Sequence, residues 1–122
     1  MFVVDQETKK ITMHRGDTGS ITFTVIGYDF SDVTCKALFS LKKAKSGEVV
    51  KDEVYSIGSS GQFTVEFSNE DTDYLAPGNY EYDVRVVINP TLDGNGKITS
   101  GDVVRTPYDP IPVEIRRTVG EI

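Results

Sequence analysis

Hydrophobic and polar residues alternate along most of this chain with a period of two. The alternation is clearest in Ser20–Ile26, Cys35–Leu41, Gln62–Phe67 and Tyr80–Ile88. Successive side chains of a strand point to opposite faces, so one face of each segment is expected on a core and the other in water. The segments are also rich in Val, Ile, Thr, Phe and Tyr, which suit a pleated surface. The pattern therefore predicts an all-β protein.

Weaker segments fill the gaps between these strands. Further strands are predicted over Lys10–Met13, Glu48–Ser56, Lys97–Thr106 and Ile111–Arg116. Seven or eight antiparallel strands at near-regular spacing, with turn residues between them, are typical of a sandwich or a barrel. Proline cannot donate to a ladder, so the prolines near the last strand predict that this strand or its lead-in lies at a sheet edge. These prolines are Pro107, Pro110 and Pro112.

The only helical signal is a single turn near residues 69–75. Ser68 or Asn69 can cap it, and Glu70 and Asp71 are favourably placed in its first turn. Pro77 and the glycine after it end the turn.

The segment Leu75–Val84 predicts a tyrosine corner. In such a corner the hydroxyl of a Tyr that opens a strand bonds back to the backbone of the preceding turn. Tyr80 is the expected residue, in a structural role.

Length and charge narrow the function classes. The 122 residues fit a single domain over 1–122. Residues up to Gly61 are balanced in charge, so the part from Gln62 onward carries the whole net charge of −6. This argues against nucleic acid as a partner, because phosphate neutralisation needs clustered Lys and Arg. No apolar run is long enough to span a membrane, and the first residues lack the features of a signal peptide.

Three motifs are better explained by structure than by chemistry. Arg15–Gly16–Asp17 resembles an integrin-binding tripeptide, but the glycines favour a tight turn between two strands. Asp93–Asp102 half-resembles a calcium loop; Lys97 stands where a ligand is needed, and a hairpin loop fits better. Cys35 is expected to be a small buried residue of a strand, with His14 too isolated to activate it.

An acidic set in the second half of the chain contains no base, and a solvated outer face is its expected role. A divalent cation bound by two of its members is the alternative. The set is Glu66, Glu70, Asp71, Asp73, Glu81 and Asp83. No signature of a catalytic site is present, so the sequence predicts a protein that is not an enzyme and needs no cofactor or metal.

In linear order the features resemble the small immunoglobulin-like domains of phage and prophage tail proteins, in particular the N-terminal domain of baseplate upper proteins. The residues that carry the resemblance are RGDTGSITFTV, DVTCKALFSLKKA, GQFTVEFSNEDTDYLAPGNYEYDVRVV and the closing strand, roughly Ile11 to Arg117. The resemblance implies an immunoglobulin-like antiparallel β-sandwich. It also implies a non-enzymatic structural protein of the virion, made in the bacterial cytoplasm, that docks other tail or baseplate proteins or copies of itself.

Docking is expected through sheet edges or through an apolar patch. Strands Lys10–Met13 and Ile111–Arg116 are the candidate edges for strand addition. Leu38, Val50 and Val87 fall out of phase with the core and are candidates for the patch. The alternative function is an adhesion or carbohydrate-binding module, which needs exposed aromatic side chains. The candidates for that role are Tyr28, Tyr55 and Tyr108.

Overall fold

The computed structural model describes residues 2–25, 34–105 and 109–117. Within them the chain is mostly β, with one short helix. The elements are β1 (Phe2–Val4), β2 (Ile11–His14), β3 (Gly19–Thr24), β4 (Cys35–Lys43), β5 (Val49–Ser56), β6 (Gln62–Phe67), α1 (Asn69–Thr72), β7 (Gly78–Ile88), β8 (Thr91–Leu92), β9 (Ile98–Ser100), β10 (Val103–Arg105) and β11 (Ile111–Arg116).

The long strand β7 is the centre of the larger sheet. One of its edges pairs with β4, and the other pairs first with β11 and then with β10. The path across the sheet is β1-β2-β11-β7-β4-β5. Every pair in it is antiparallel except β2 and β11, which run parallel. The expectation of a wholly antiparallel fold is therefore wrong at this pair, because β11 enters between β7 and β2 and runs in the direction of β2.

Both predicted docking edges lie inside the larger sheet. β2 has β1 on one side and β11 on the other, and β11 lies between β2 and β7. Pro112 is tolerated there because its missing N–H would point towards β2 at a position before the pairing with β2 begins. The carbonyl of Arg116 accepts a hydrogen bond from the Arg15 N–H at 3.2 Å, so the even-numbered residues of β11, Pro112 included, direct their backbone groups towards β2. Pairing with β2 begins only at Val113. For β11 itself, the prediction of an edge position is therefore wrong.

The strand count is also higher than the seven or eight expected. The predicted strand over residues 97–106 is divided at Gly101 into β9 and β10, and β1 and β8 are additional. The Asp102 N–H donates to the carbonyl of Ile88 at 2.9 Å, which turns the chain back onto β7. A Cβ at Gly101 would overlap Cγ1 of Val87. Val87 is therefore buried beneath this turn, and its predicted exposure is wrong.

A two-stranded sheet of β3 and β6 packs against the larger sheet through aromatic rings. The Phe23 ring centroid lies 5.8 Å from that of Tyr82, and the Phe39 centroid lies 5.8 Å from that of Phe67. These contacts join the inward faces of the two sheets in one core. The members of that core are Ile11, Met13, Ile21, Phe23, Val25, Cys35, Ala37, Phe39, Leu41, Phe63, Val65, Phe67, Leu75, Tyr80, Tyr82, Val84, Val86, Ile111, Val113 and Ile115.

A third small sheet, β8 with β9, forms the hairpin predicted within Asp93–Asp102. The carboxylate oxygen Oδ1 of Asp93 accepts bonds from the backbone N–H groups of Asn95, at 2.8 Å, and of Lys97, at 3.0 Å. Gly96 takes a φ of 79°, which favours glycine. The hairpin interpretation of this loop is confirmed.

Candidate docking surfaces

The crossover between β6 and β7 contains the predicted tyrosine corner. The buried Tyr80 donates its hydroxyl to the carbonyl of Ala76 at 2.8 Å. Burial raises the pKa of this phenol above its ordinary value. Ser68 caps α1, and its hydroxyl accepts from the N–H of Asp71, whose carboxylate accepts from the N–H of Ser68. The corner and the capped turn are both confirmed.

The crossover also binds the turn that contains Arg15–Gly16–Asp17. Asn69 donates through Nδ2 to the carbonyl of Gly16 at 2.8 Å, and the buried hydroxyl of Thr72 donates to the carbonyl of Asp17 at 3.0 Å. Within the turn, the Asp17 carboxylate accepts from the N–H of His14 at 2.9 Å. The tripeptide is therefore part of a bonded tight turn, as predicted, rather than a flexible display loop.

A buried lysine joins the crossover to β5. The Lys51 side chain is only 5% exposed, and its Nζ lies 2.8 Å from Oε1 of Glu53 and 3.4 Å from Oδ2 of Asp71. It also lies 5.6 Å from the centroid of the Phe67 ring. Burial alone would raise the pKa values of the two carboxyl groups. Hydrogen bonds to the two carboxylates outweigh this effect of burial, so both pKa values are lowered. The main donors are Lys51 and Tyr55 for Glu53, and Ser68 for Asp71.

The acidic set of six residues does not form a common site. Glu66 alternates with buried residues of β6, so it points out from the smaller sheet, whereas Glu81 and Asp83 point out from the larger one. Asp71 is held by Ser68 and Lys51. Across residues 2–25, 34–105 and 109–117, no three His, Cys, Asp or Glu side chains are grouped so as to hold a metal ion.

The aromatic platform required by the adhesion alternative is not formed by Tyr55. Its ring is half-buried and stacks on Phe63 with centroids 6.1 Å apart. Its hydroxyl donates to Oε2 of Glu53 at 2.7 Å, so both its apolar face and its polar atom are occupied. The predicted exposure of Tyr55 is wrong, because the smaller sheet reaches it through β6. Tyr28 and Tyr108 lie outside the described residues.

Cys35 is buried in β4 as predicted, and burial raises the pKa of its thiol. His14, the base that such a nucleophile would need, lies 3.9 Å from the Asp17 carboxylate on the β2–β3 turn. A protonated thiol is a poor nucleophile, so the environment of Cys35 favours a packing role.

Of the apolar candidates for a docking patch, only Leu38 keeps an outward position on the larger sheet. Val50 is half-buried and packs against the core. Leu38 lies opposite Val54 of β5 and is half-buried. An open cavity of ≈ 400 Å³ separates these two side chains from the hairpin tip at Asn95–Lys97. The apolar patch is therefore limited to Leu38 and Val54, and the outer edge of β5 is the second candidate docking surface.

The outer edge of β5 pairs with no strand in the described part of the chain. The N–H of Ile57 donates to the carbonyl of Cys35 at 3.3 Å, so the odd-numbered residues of β5 bond to β4. The even-numbered residues Asp52, Val54 and Ser56 therefore direct their backbone groups away from the sheet. The carbonyl of Val50 points the same way and accepts the hydroxyl of Tyr74 at 2.6 Å.

Sequence reasoning missed both Lys51 and this edge. The signal that was available is the charged run Lys51–Asp52–Glu53, which interrupts the alternation of an otherwise apolar strand. Charges placed in a strand are typical of edges, where they discourage unspecific pairing.

Replacement of Tyr80 by Phe is expected to lower the free energy of unfolding by about 1 kcal/mol, because a buried hydrogen bond to the Ala76 carbonyl is lost. Tyr74→Phe is the matched control: it also removes a hydroxyl that bonds to a carbonyl, but its side chain is 60% exposed. Water can replace that bond, so the loss is expected to be smaller. Urea unfolding of both variants measures the difference, and equal losses would contradict a specific role for the corner.

Comparison with known proteins assigns no family. No protein-family model matches the chain, and no curated protein matches its sequence. In the described residues, no helix has both the length and the apolar character needed to cross a membrane.

Proposed function

We propose that the chain is an immunoglobulin-like sandwich. In this interpretation β3 and β6 form one sheet, and β2, β11, β7, β4 and β5 form the other. Three features support it: the aromatic contacts between the two sheets, the parallel pairing of β2 with β11, and the Tyr80 corner at the crossover from one sheet to the other. Sandwiches of this kind host many functions, so the fold alone does not select one.

The proposed function is that of a non-enzymatic structural module of a phage or prophage virion, which docks one tail or baseplate protein to another. The observation that carries it is the Leu75–Val84 segment, which belongs to the resemblance and forms a bonded tyrosine corner of the kind found in immunoglobulin-like sandwiches. The neighbouring polar groups support the same conclusion. The polar groups of α1, the β2–β3 turn and Lys51 form hydrogen bonds and an ion pair that stabilise the crossover, rather than converging on a reactive cleft.

The test is to follow the protein into particles. A bacterial strain that carries the gene is induced, virions are purified on a density gradient, and the protein is detected by immunoblot and located by immunogold labelling. We expect the protein to co-sediment with particles and the label to lie on the tail or baseplate. In a deletion strain we expect incomplete tails. Normal, infectious particles that lack the protein would contradict the proposal.

A further inference from the structure

We propose that the outer edge of β5 binds a second copy of this chain, and that the two β5 strands pair antiparallel with Val54 opposite Val54. The larger sheets of the two copies then continue into one another across a two-fold axis at Val54. This dimer does not depend on the proposed virion role, because it is a property of the purified chain. It gives the free edge a partner, an orientation and a register.

The free section of the edge is centred on Val54. The carbonyl of Val50 is already bonded to the hydroxyl of Tyr74 at 2.6 Å, and β5 ends at Ser56. The outward backbone groups between these limits belong to Asp52, Val54 and Ser56. Antiparallel pairing about Val54 joins Asp52 to Ser56 of the second copy and Val54 to Val54, so each of these groups gains a partner. A register centred earlier in β5 also uses the Val50 carbonyl and competes with Tyr74.

The charges of β5 exclude the neighbouring registers and permit this one. A pair of strands centred on Asp52 or on Glu53 places two identical carboxylates directly opposite each other, which destabilises a strand pair. A register centred on Tyr55 pairs less of β5, because the strand ends at Ser56. The register centred on Val54 places Asp52 opposite Ser56 and Glu53 opposite Tyr55. The two carboxylates therefore select the register of the dimer.

An apolar row crosses the outward face of this dimer. Leu38 lies opposite Val54 within one chain, and both side chains are half-buried beside an open cavity of ≈ 400 Å³. Directly opposite residues of a hydrogen-bonded pair have Cα atoms about 5.5 Å apart, so the two Val54 side chains meet at the axis. The row then runs from Leu38 of one copy through both Val54 side chains to Leu38 of the other. Each copy removes the apolar patch of the other from water, which is favourable.

Lys36 and Asp52 match each other across the axis. The Lys36 Nζ donates to the hydroxyl of Ser56 at 2.6 Å, beside the free edge, and among the described residues no carboxylate pairs with it. Ser56 lies opposite Asp52 of the second copy, so the ammonium group and that carboxylate come together. Asp52 bonds to Lys97 through Oδ1, and its Oδ2 remains to accept from Lys36, since a carboxylate accepts several hydrogen bonds. A second copy thus supplies both the acid for Lys36 and the apolar partner for Val54.

Sedimentation equilibrium of the purified chain, from about 1 μM to 1 mM protein, tests the dimer. We expect a reversible monomer–dimer equilibrium, with NMR amide signals of Asp52, Val54 and Ser56 that shift with concentration. Val54→Pro removes the outward N–H at the axis and leaves the bonds to β4 in place, so dimerisation should weaken at least about tenfold. Val54→Ile keeps both the N–H and the apolar side chain and is the matched control.

A charge exchange between two variants tests the register, even if the proline variant does not fold. Lys36→Asp alone places two acids opposite each other across the axis, and Asp52→Lys alone places two lysines there, so each variant should dimerise more weakly than wild type. In an equal mixture, both cross-axis pairs are of opposite charge. We therefore expect heterodimers that are at least about tenfold more stable than either homodimer. Loss of the Lys97 pair in Asp52→Lys affects its homodimer and the heterodimer alike, so it does not produce this preference.

Three results contradict the proposal. The first is a chain that stays monomeric to about 1 mM, which would leave the β5 edge to a strand of another protein. The second is a dimer that Val54→Pro does not weaken, and the third is a mixture of the charge variants with no preference for heterodimers. Detection in virions is a separate measurement, so the dimer and the virion role can fail independently.

Discussion

Phe39→Ala is expected to lower the free energy of unfolding by about 3–5 kcal/mol, the range for removal of a buried aromatic side chain. Phe39 is fully buried in β4 at the centre of the contact between the two sheets. Its ring centroid lies 5.2 Å from that of Tyr82 on the neighbouring strand and 5.8 Å from that of Phe67 on the smaller sheet. Alanine leaves a cavity that both sheets border, and a rigid β core closes around such a cavity only in part.

Urea unfolding followed by circular dichroism measures this loss. A small domain has about 5–15 kcal/mol of stability in total, so a loss of this size is a large fraction of it. Leu92→Ala is the matched control, because Leu92 is 40% exposed in the β8–β9 hairpin. We expect the control to change stability by less than about 0.5 kcal/mol. A loss below about 1.5 kcal/mol for Phe39→Ala would show that the contact between the sheets is not the main source of stability.

The alternation of apolar side chains was sufficient to predict much of the fold. Strands such as β4, β6 and β7 have one strictly buried face, and a shift of one residue would expose that whole face, so their position along the chain is strongly specified. The corner at Tyr80 and the cap at Ser68 were predictable for a related reason. Each depends on residues close together in the sequence, so local spacing describes the contact.

The order of the strands in the sheet was not predictable in this way. Whether β11 lies at an edge depends on β2, which precedes it by about a hundred residues in the chain. The prolines around β11 suggested an edge, but the structure places Pro112 just before the parallel ladder begins, where a missing N–H does no harm. The predicted exposure of Val87 was wrong for the same reason, since the turn at Gly101 that covers it comes later in the chain.

The candidate docking edge depends on both kinds of information. The charged run in β5 is visible in the sequence, whereas the fact that β5 ends the larger sheet is a property of its topology. The role of Lys51 combines them as well. The alternation alone does not explain a lysine at a buried position of β5. The explanation is that Asp71, on the crossover, lies near the Lys51 ammonium group together with Glu53.

Lys51→Met is expected to lower the free energy of unfolding at pH 7 by about 1–2 kcal/mol. Removal of one partner of a fully buried ion pair costs about 3–5 kcal/mol. The value here is smaller because the Glu53 and Asp71 side chains are 50% and 28% exposed, and solvent screens them. Methionine fills a similar volume and keeps a favourable contact with the Phe67 ring, so the loss reports mainly on charge.

The dependence on pH separates this electrostatic loss from a loss of packing. The pKa values of Glu53 and Asp71 are lower in the folded protein than in the unfolded chain. Their contribution to stability is therefore complete above the unfolded values, near pH 4, and disappears as the pH falls through the folded ones. Wild type should lose this contribution on acidification. The variant, in which the carboxyl groups are no longer held by Lys51, should lose less.

Urea unfolding at pH 7 and at pH 3 tests the prediction. The difference in stability between wild type and Lys51→Met should be smaller at pH 3 than at pH 7, since pH 3 lies below the ordinary pKa of both carboxyl groups and part of their contribution is then lost. Lys97→Met is the matched control: its ion pair with Asp52 is equally short, at 2.8 Å, but the two side chains are 58% and 39% exposed. An exposed pair of this kind is expected to contribute less than about 1 kcal/mol at either pH. A difference that stays constant from pH 7 to pH 3 would mean that Lys51 stabilises the crossover through packing and not through its charge.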